Sequence, residues 1–405
     1  MKILLAVSGS ISAYKTIDLA RGFVKLGHEV KVVLTKGALE FVVPNLYTYL
    51  GVSDVYTHDE DFKHKNVLHV DLARWSDTLV IAPASANTIA RLSRGEATDL
   101  LSSIFLAYEG HKSVQIYPAM NTMMLSHPFT QENIEQLTKI DRLPNVFISP
   151  TSQGLLACNE VGAGKLPSVD ELLELIPILA HKKIATKKNI LATTGATIVP
   201  LDPVRYLTNS SSGITGFHLA VEALKSGHKI TMIAGEKATA KLDLLVKHPD
   251  FTLIRVKTVN EMKKAVEDHL DSAHAYVSSA AISDIEFETN ENKIKKETMT
   301  DSLKIKKATD ILKLVIEKKQ KNLKIIGFAA ETDLSDAVLN KKLSGKPVDL
   351  LIGTRVDNGL INNSQVQGFN VDQAYYRFFN GSGEVFAGNL SKENMAKKLI
   401  EFIEI

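Results

Sequence analysis

The segment from Pro200 to Gly216, PLDPVRYLTNSSSGITG, gathers side chains that suit the handling of an anion. Two prolines box in Asp202, and Arg205, Asn209, three serines and Gly213 follow. A Ser/Gly-rich turn before a helix offers free backbone N–H groups and a favourable dipole to a phosphate or carboxylate. Arg205 adds a fork that can grip either group. An ordinary αβ loop uses the same residue types, so the turn alone leaves both readings open. In the first half, Ser8-Gly9-Ser10-Ile11-Ser12-Ala13 forms a comparable loop, with Thr35 closing the next apolar run. Serines stand there where a dinucleotide fold has its second and third glycines. Their hydroxyls suit a terminal phosphate better than a pyrophosphate, which favours a flavin mononucleotide over NAD.

Other candidates are scattered. His69 lies between apolar residues, a setting equally natural for a structural histidine. Ser85 and Asn87 fit a helix cap or a ligand contact at a strand end. Asn121 follows an apolar run, and its amide can donate to and accept from a carboxylate, while the methionines around it would also serve as core filler. Cys158, the only cysteine, lies in a stretch with Glu160, Gly162 and Gly164 that reads as a loop, where a thiol can act as nucleophile or proton donor. Lys293 and Lys295 alternate with Ile294, as on one face of an edge strand. With Lys307, Lys342 and Lys346 they supply enough cations for a triphosphate, and Asp284 suits a ribose or a magnesium ion.

These residues need rigid elements to hold them. Lys2–Val7 reads as a buried strand, Tyr14–Leu26 as a helix stopped by Gly27, and Glu29–Leu34 as a second strand. Thr78–Ala82 and Ser113–Tyr117 continue the pattern, which opens a doubly wound parallel sheet. After a basic linker over residues 182–188 the pattern restarts. Strands are expected at Asn189–Thr194, Ile230–Ala234, Phe251–Val256, Ala275–Ser278, Ile325–Phe328 and Leu350–Ile352, with helices at Phe217–Leu224 and Val259–Leu270. Tyr375–Phe379 and Glu384–Ala387 read as a hairpin around Asn380-Gly381-Ser382-Gly383. The fold expected is therefore α/β, two doubly wound, mostly parallel Rossmann-like domains at 1–181 and 189–405.

Composition narrows the partners. The 405 residues carry a net charge of +2, with 44% hydrophobic and 23% charged residues, as in an ordinary globular chain. That balance argues against a nucleic-acid face built on bulk charge, and no apolar run is long enough for a membrane span. A single cysteine excludes an intrachain disulfide and suits a cytoplasmic protein.

Gly9–Lys15 (GSISAYK), His69, Pro118-Ala119-Met120-Asn121 and Ala157-Cys158 occur in an order that resembles the flavin-dependent cysteine decarboxylases. Asp202–Tyr206, Asn209, Ser211–Gly213, Lys293–Lys296, Gly327–Thr332 and Gly368-Phe369-Asn370 extend the resemblance. Together they resemble the family of bifunctional phosphopantothenoylcysteine decarboxylase/phosphopantothenate–cysteine ligases of coenzyme A biosynthesis. The resemblance implies FMN contacts at Gly9, Ser10, Ile11, Thr35, Ser85, Asn87 and Met120. It implies His69 as the base near the flavin, Asn121 and Met124 as carboxylate-holding residues, and Cys158 as the proton donor on a substrate-covering loop. In the second half it implies that Arg205 and Asn209 bind an acyl-cytidylate. CTP contacts would be Asp284, Lys293, Lys307, Ala308, Thr309, Asp310, Phe328, Lys342 and Lys346, with Lys293 also catalytic and Mg2+ assisting, with Asp284 as its candidate ligand. The implied substrates are 4′-phosphopantothenate, cysteine and CTP, and the implied assembly is a homo-oligomer with trimeric decarboxylase and dimeric ligase contacts. Departures from the family pattern include Leu125, Asn159, Lys165, Ile214, Thr215, Thr354 and Arg355. A scaffold with a decayed ligase half, or a flavin-binding regulatory subunit, would not need His69, Asn121 and Cys158 together with Asp284, Lys293, Lys342 and Lys346.

Overall fold

The computed structural model describes residues 1–61, 63, 66–139, 146–155, 161–180, 186–288, 292–294, 303–319, 322–356 and 373–405. Contacts divide the chain into two units, Met1–Ile184 and Ala185–Ile405.

The first unit is built on β1 (Lys2–Val7), β2 (Glu29–Leu34), β3 (Asp54–Thr57), β4 (Thr78–Ala84), β5 (Ser113–Pro118) and β6 (Val146–Ile148), all parallel, in the order β3-β2-β1-β4-β5-β6. β1 is apolar on both faces because helices cover both. Ile3, Leu5 and Val7 pack with Phe23, Leu172 and Ile176, while Leu4 and Ala6 pack with Leu72, Ile89 and Ile104. The helix Lys15–Lys25 buries Thr16, Leu19, Ala20 and Phe23, the spacing of one helical stripe. It stops at Gly27, whose φ of +80° is left-handed. A single turn, Ile11–Tyr14, precedes this helix, so its regular part begins one residue later than expected. A short antiparallel ladder of β7 (Ser152–Leu155) and β8 (Val161–Lys165) completes the unit.

The second unit repeats the same winding. β9 (Asn189–Thr194) is followed by a small ladder of β10 (Ile198–Pro200) and β11 (Tyr206–Thr208). Then come β12 (Lys229–Gly235), β13 (Phe251–Val256), β14 (Ala275–Ser278), and the ladder of β15 (Ile285–Phe287) with β16 (Ile305–Lys307). β17 (Lys324–Glu331), β18 (Leu350–Arg355), β19 (Gln373–Asn380) and β20 (Gly383–Ser391) finish the sheet. Its order is β13-β12-β9-β14-β17-β18-β19-β20, with all pairings parallel except β18 with β19 and β19 with β20. The hairpin is thus present and longer at both ends than apolar patterning indicated. Gly216 lets the helix Ile214–Lys225 lie against β9, since a Cβ there would sit 2.3 Å from Thr194 Oγ1. One local expectation fails: Lys293 and Ile294 belong to no strand, and Lys295 lies outside the described residues. The nearby pairing is instead between β15 and β16.

Candidate functional site

A doubly wound sheet opens a crevice at the carboxyl ends of its strands where the winding reverses. In the first unit that point lies between β1 and β4, and a cavity of about 550 Å³ occupies it. The loop after β1 contributes Gly9, Ser10, Ile11 and Ser12, followed by Tyr14 and Lys15. Ser85 and Ala86 enter from the loop after β4, and Ala119, Met120, Asn121 and Met124 from the one after β5. Ser8 stitches the first two loops: its Oγ donates to the Pro83 carbonyl and accepts the Ser85 N–H, both at 2.8 Å. Ser85 also caps the helix Ala86–Arg94 by accepting the Thr88 N–H at 3.3 Å, so the cap and the cavity lining are one residue. The Asn121 Oδ1 accepts the Met123 N–H at 2.8 Å, which fixes the orientation of the amide.

The ladder of β7 and β8 supplies another wall through Gly164 and Lys165. It is fastened by the Met120 N–H on the Gly164 carbonyl at 3.0 Å and by Thr122 Oγ1 on the Ala163 carbonyl at 2.6 Å. Gly164 has φ +119°, and a Cβ there would lie 2.1 Å from the Met120 carbonyl oxygen. Cys158 belongs to the stretch 156–160, outside the described residues. Burial, and then the nearby Lys165 charge, hold the Lys15 ammonium below its ordinary value. Two cations lining one cavity favour an anion beside them.

Three expected residues lie apart from this lining. Thr35 is buried, and its Oγ1 accepts the Ala38 N–H at 3.3 Å. Asn87 is exposed on its helix. His69 stands second in the helix Leu68–Trp75, which returns from the end of β3 to the start of β4; the histidine is therefore at the carboxyl edge of the sheet. Its Nδ1 meets both oxygens of buried Asp61 at 2.8 and 2.9 Å, and its own N–H donates to Asp61 at 3.1 Å. A carboxylate on one ring nitrogen orients the imidazole and leaves Nε2 as the working end. Asp61 escaped the sequence reading because a loop carboxylate eight positions before a histidine has no periodicity to reveal it.

The second unit has its own cavity, of about 370 Å³, at the reversal between β9 and β14. Ser211–Thr215 bring the N-terminus of the helix Ile214–Lys225 to it. Ser279–Ile282 and Asp284 follow β14, Phe328–Glu331 come from β17, and Thr354, Val356, Tyr376, Lys342 and Lys392 close it. Asn209 is anchored beside the β14 loop, its Nδ2 donating to the Ala281 carbonyl at 3.1 Å.

The charged residues expected to converge here are mostly engaged with one another. The Arg205 fork is taken by Asp202, with Nε and Nη2 at 3.0 and 2.5 Å from the same carboxylate oxygen. Nη2 also donates to the Ile294 carbonyl at 3.2 Å, and the Ile294 N–H reaches Asp202 at 3.3 Å. Arg205 therefore ties down the segment carrying Lys293, where an outward grip on an anion was expected. Lys342 pairs with Glu331 and Lys346 with Asp310, both at 2.6 Å. Asp310 also caps the helix Ile311–Glu317, accepting the Lys313 N–H at 3.0 Å. Lys293, Lys307, Ala308, Thr309, Asp310 and Lys346 are not among the cavity's lining residues, whereas Asp284, Phe328 and Lys342 are. Among the described residues no three His, Cys, Asp or Glu side chains gather as a metal site, so Asp284 has no ready co-ligands. Lys392 lines the cavity although it appears in no sequence motif.

Two family models divide the chain between them: one described as Flavoprotein matches residues 1–181, and one described as DNA/pantothenate metabolism flavoprotein, C-terminal domain, matches residues 185–405. The coenzyme A biosynthesis bifunctional protein CoaBC of Bacillus subtilis (strain 168) is 35% identical over 365 residues, spanning 87% of this chain and 86% of that protein. The chain belongs to the CoaBC family. Its CoaBC relatives from Vibrio parahaemolyticus and Haemophilus influenzae are each 34% identical over 406 residues, covering 99% of this chain and 97% of theirs. As a CoaBC chain it is a bifunctional enzyme of coenzyme A biosynthesis, a flavoprotein phosphopantothenoylcysteine decarboxylase joined to a phosphopantothenate–cysteine ligase. Among the described residues no helix is long and apolar enough to cross a membrane.

Proposed function

We propose that this CoaBC enzyme activates 4′-phosphopantothenate with CTP, joins it to cysteine, and decarboxylates the product in an FMN-containing site. The observation that carries this reading is the pair of reversal-point cavities, one walled by apolar side chains, the other by helix N–H groups and charge. Ile11, Ala119, Met120 and Met124 suit a flat aromatic ring system, and the turn capped by Ser10 suits a terminal phosphate. FMN, when bound, supplies a two-electron acceptor and donor for the substrate thiol. Asn121 holds the carboxylate that will leave, and Cys158 delivers the proton that completes the product carbon. His69, oriented by Asp61 and absent from the lining of its own subunit's cavity, serves the cavity of a neighbouring copy in a trimer.

In the second cavity the phosphopantothenate carboxylate attacks the α-phosphate of CTP, giving acyl-cytidylate and pyrophosphate; the cysteine amine then displaces CMP. The N–H groups of Ser211–Gly213 and the head of the helix Ile214–Lys225 receive phosphate charge. Phe328 and the adjoining strand edge take the base, Asp284 the ribose, and Asn209 the acyl group. Lys342 and Lys346 exchange their carboxylate partners for phosphate. Lys293 reaches the acyl phosphate from the segment that Arg205 and Asp202 anchor, and Lys307 approaches from β16. Mg2+ would have to arrive with the triphosphate, and no step here depends on it. Residues 182–188 link the two activities, the ligase unit pairs as a dimer, and the enzyme works in the cytoplasm.

Incubation of the full chain with CTP, cysteine and 4′-phosphopantothenate tests this. A yellow protein should release CMP and CO2 in equal amounts. CO2 from phosphopantothenoylcysteine with no CMP release would overturn the ligase half. CMP without CO2 from FMN-loaded protein would overturn the decarboxylase half.

A further inference from the structure

Lys15 and Lys165 are the only charged side chains among the described residues that line the cavity of the first unit. Both are half-buried, and among the described residues neither side chain makes a hydrogen bond or an ion pair. Burial and the nearness of Lys165 make the charged form of Lys15 costly, and no carboxylate among the described residues offsets that cost. Lys15 also begins the helix Lys15–Lys25, where the positive end of the dipole disfavours a cation. Two ammonium groups brought to one cavity of otherwise uncharged side chains call for an anionic guest.

Neither lysine is loosely placed. Thr16, the neighbour of Lys15, is buried, donates to the Ala13 carbonyl at 2.6 Å and lies 2.5 Å from the Tyr47 hydroxyl. Lys165 stands between Gly164, whose N–H donates to Thr151 Oγ1 at 3.0 Å, and Leu166, which is buried in the core. Its stem crosses β7, since a Cβ on Gly154 would come 3.3 Å from its Cδ and 3.4 Å from its Nζ. One charge therefore comes from the helix after the first loop and the other from the ladder of β7 and β8, so an anion held by both ties the ladder to the helix.

The proposed reaction offers three anions. The FMN phosphate has the turn headed by Ser10, whose N–H groups suit a phosphate without help from a lysine. The substrate carboxylate leaves as CO2, so an ammonium beside it would stabilise the ground state more than the transition state and slow the reaction. The substrate phosphate keeps its charge throughout, so binding it lowers KM and leaves the chemical step alone.

We propose that Lys15 and Lys165 form the subsite for the phosphate monoester of the decarboxylase substrate and set the preference for phosphorylated over unphosphorylated acyl-cysteine. This rests on the decarboxylase reading above. The test is steady-state CO2 release by the FMN-loaded full chain, without CTP, from 4′-phosphopantothenoylcysteine and from pantothenoylcysteine. Lys15→Met and Lys165→Met each remove one charge and keep most of the stem. In each, the ratio of kcat/KM for the phosphorylated to the unphosphorylated substrate should fall about ten- to a hundredfold, through KM. Should the methionine variants fail to load FMN, Lys15→Arg and Lys165→Arg carry the test, because moving either charge should shift the same ratio at least threefold. An equal fall for both substrates would place the lysines on a group common to both turnovers and overturn the proposal. An unmoved ratio with FMN retained less well than riboflavin would assign the pair to the cofactor phosphate and overturn it too. FMN-loaded wild type that releases CO2 from neither substrate would overturn the decarboxylase reading itself.

Discussion

The two cavities occupy the same place in the same strand order and are lined by opposite chemistry. Both lie where the winding reverses, between β1 and β4 in one unit and between β9 and β14 in the other. The first is built mainly from backbone turns and uncharged side chains that cannot relocate: Gly9, Ser10, Ile11, Ser85, Met120, Asn121. The second carries Asp284, Glu331, Lys342 and Lys392 in its lining, and of the cations expected there Lys342 pairs with Glu331, while Arg205 and Lys346, outside the lining, pair with Asp202 and Asp310. A ring system needs a shaped apolar slot that exists beforehand. A triphosphate brings enough charge to rearrange ion pairs, which are worth little at a surface. On the proposed function, the same topology would serve one site by preformed shape and the other by exchangeable charge.

If the contrast holds, each half can be disabled alone. The largest effect should come from Cys158→Ser. Losing a general acid costs about 10²–10⁴-fold, so formation of 4′-phosphopantetheine should nearly stop, with CO2 release stalling after about one turnover, while CMP release continues at the wild-type rate. Unimpaired formation of 4′-phosphopantetheine over many turnovers would remove that role from Cys158. Next comes Asp61→Asn. Loss of an orienting partner typically costs about 10–100-fold, so kcat for CO2 release should fall in that range while KM for phosphopantothenoylcysteine stays within about twofold. A falling melting temperature with kcat unchanged would mean that Asp61 merely holds the loop.

How far the sequence shows all this follows from the kind of interaction. β1, β2 and β9 occupy the ranges their apolar runs mark, because a strand covered on both faces admits few polar residues. The glycine–serine loops were visible because their chemistry sits in the backbone, which consecutive residues encode. Lysine tips were not, since a four-carbon stem lets Lys346 reach Asp310 from another element. Arg205 shows the same limit at short range: the acid that captures it is three residues away in the same motif. Lys392 belongs to no motif in the sequence, and only the packed fold buries it.

The glycines give a matched pair of smaller effects. Gly164→Ala puts a methyl 2.1 Å from the Met120 carbonyl, and Gly235→Ala puts one 2.1 Å from the Ala196 carbonyl. Each must push apart the loops framing its own cavity, a strain of about 1–3 kcal/mol. The first should weaken flavin retention about tenfold and leave CTP-dependent CMP release intact; the second should do the reverse. Equal damage to both activities from either change would break the comparison.

The smallest effect concerns acid. The Arg205 guanidinium holds the Asp202 carboxyl well below the usual carboxylate range, against desolvation and with help from the N–H groups of Val204, Arg205 and Ile294. In the unfolded chain that carboxyl titrates near 4 (about 3.9). Folding therefore gains stability from it above that pH, and loses it as the pH falls from about 5 toward the folded value. In the first unit Asp59 is also lowered, to about 2, chiefly by Lys63 and then by Thr57. That pair lies open to solvent, where salt screens it. Calorimetry of the full chain between pH 5 and 3 should show the ligase transition of wild type falling more steeply than that of Asp202→Asn, which starts lower at pH 7. Asp59→Asn should change the first unit's acid slope much less, and 0.5 M salt should erase most of that difference while leaving the Asp202 effect. Parallel acid slopes for wild type and Asp202→Asn would show that the Arg205 anchor contributes nothing that protonation can remove, and Lys293 would then need another support.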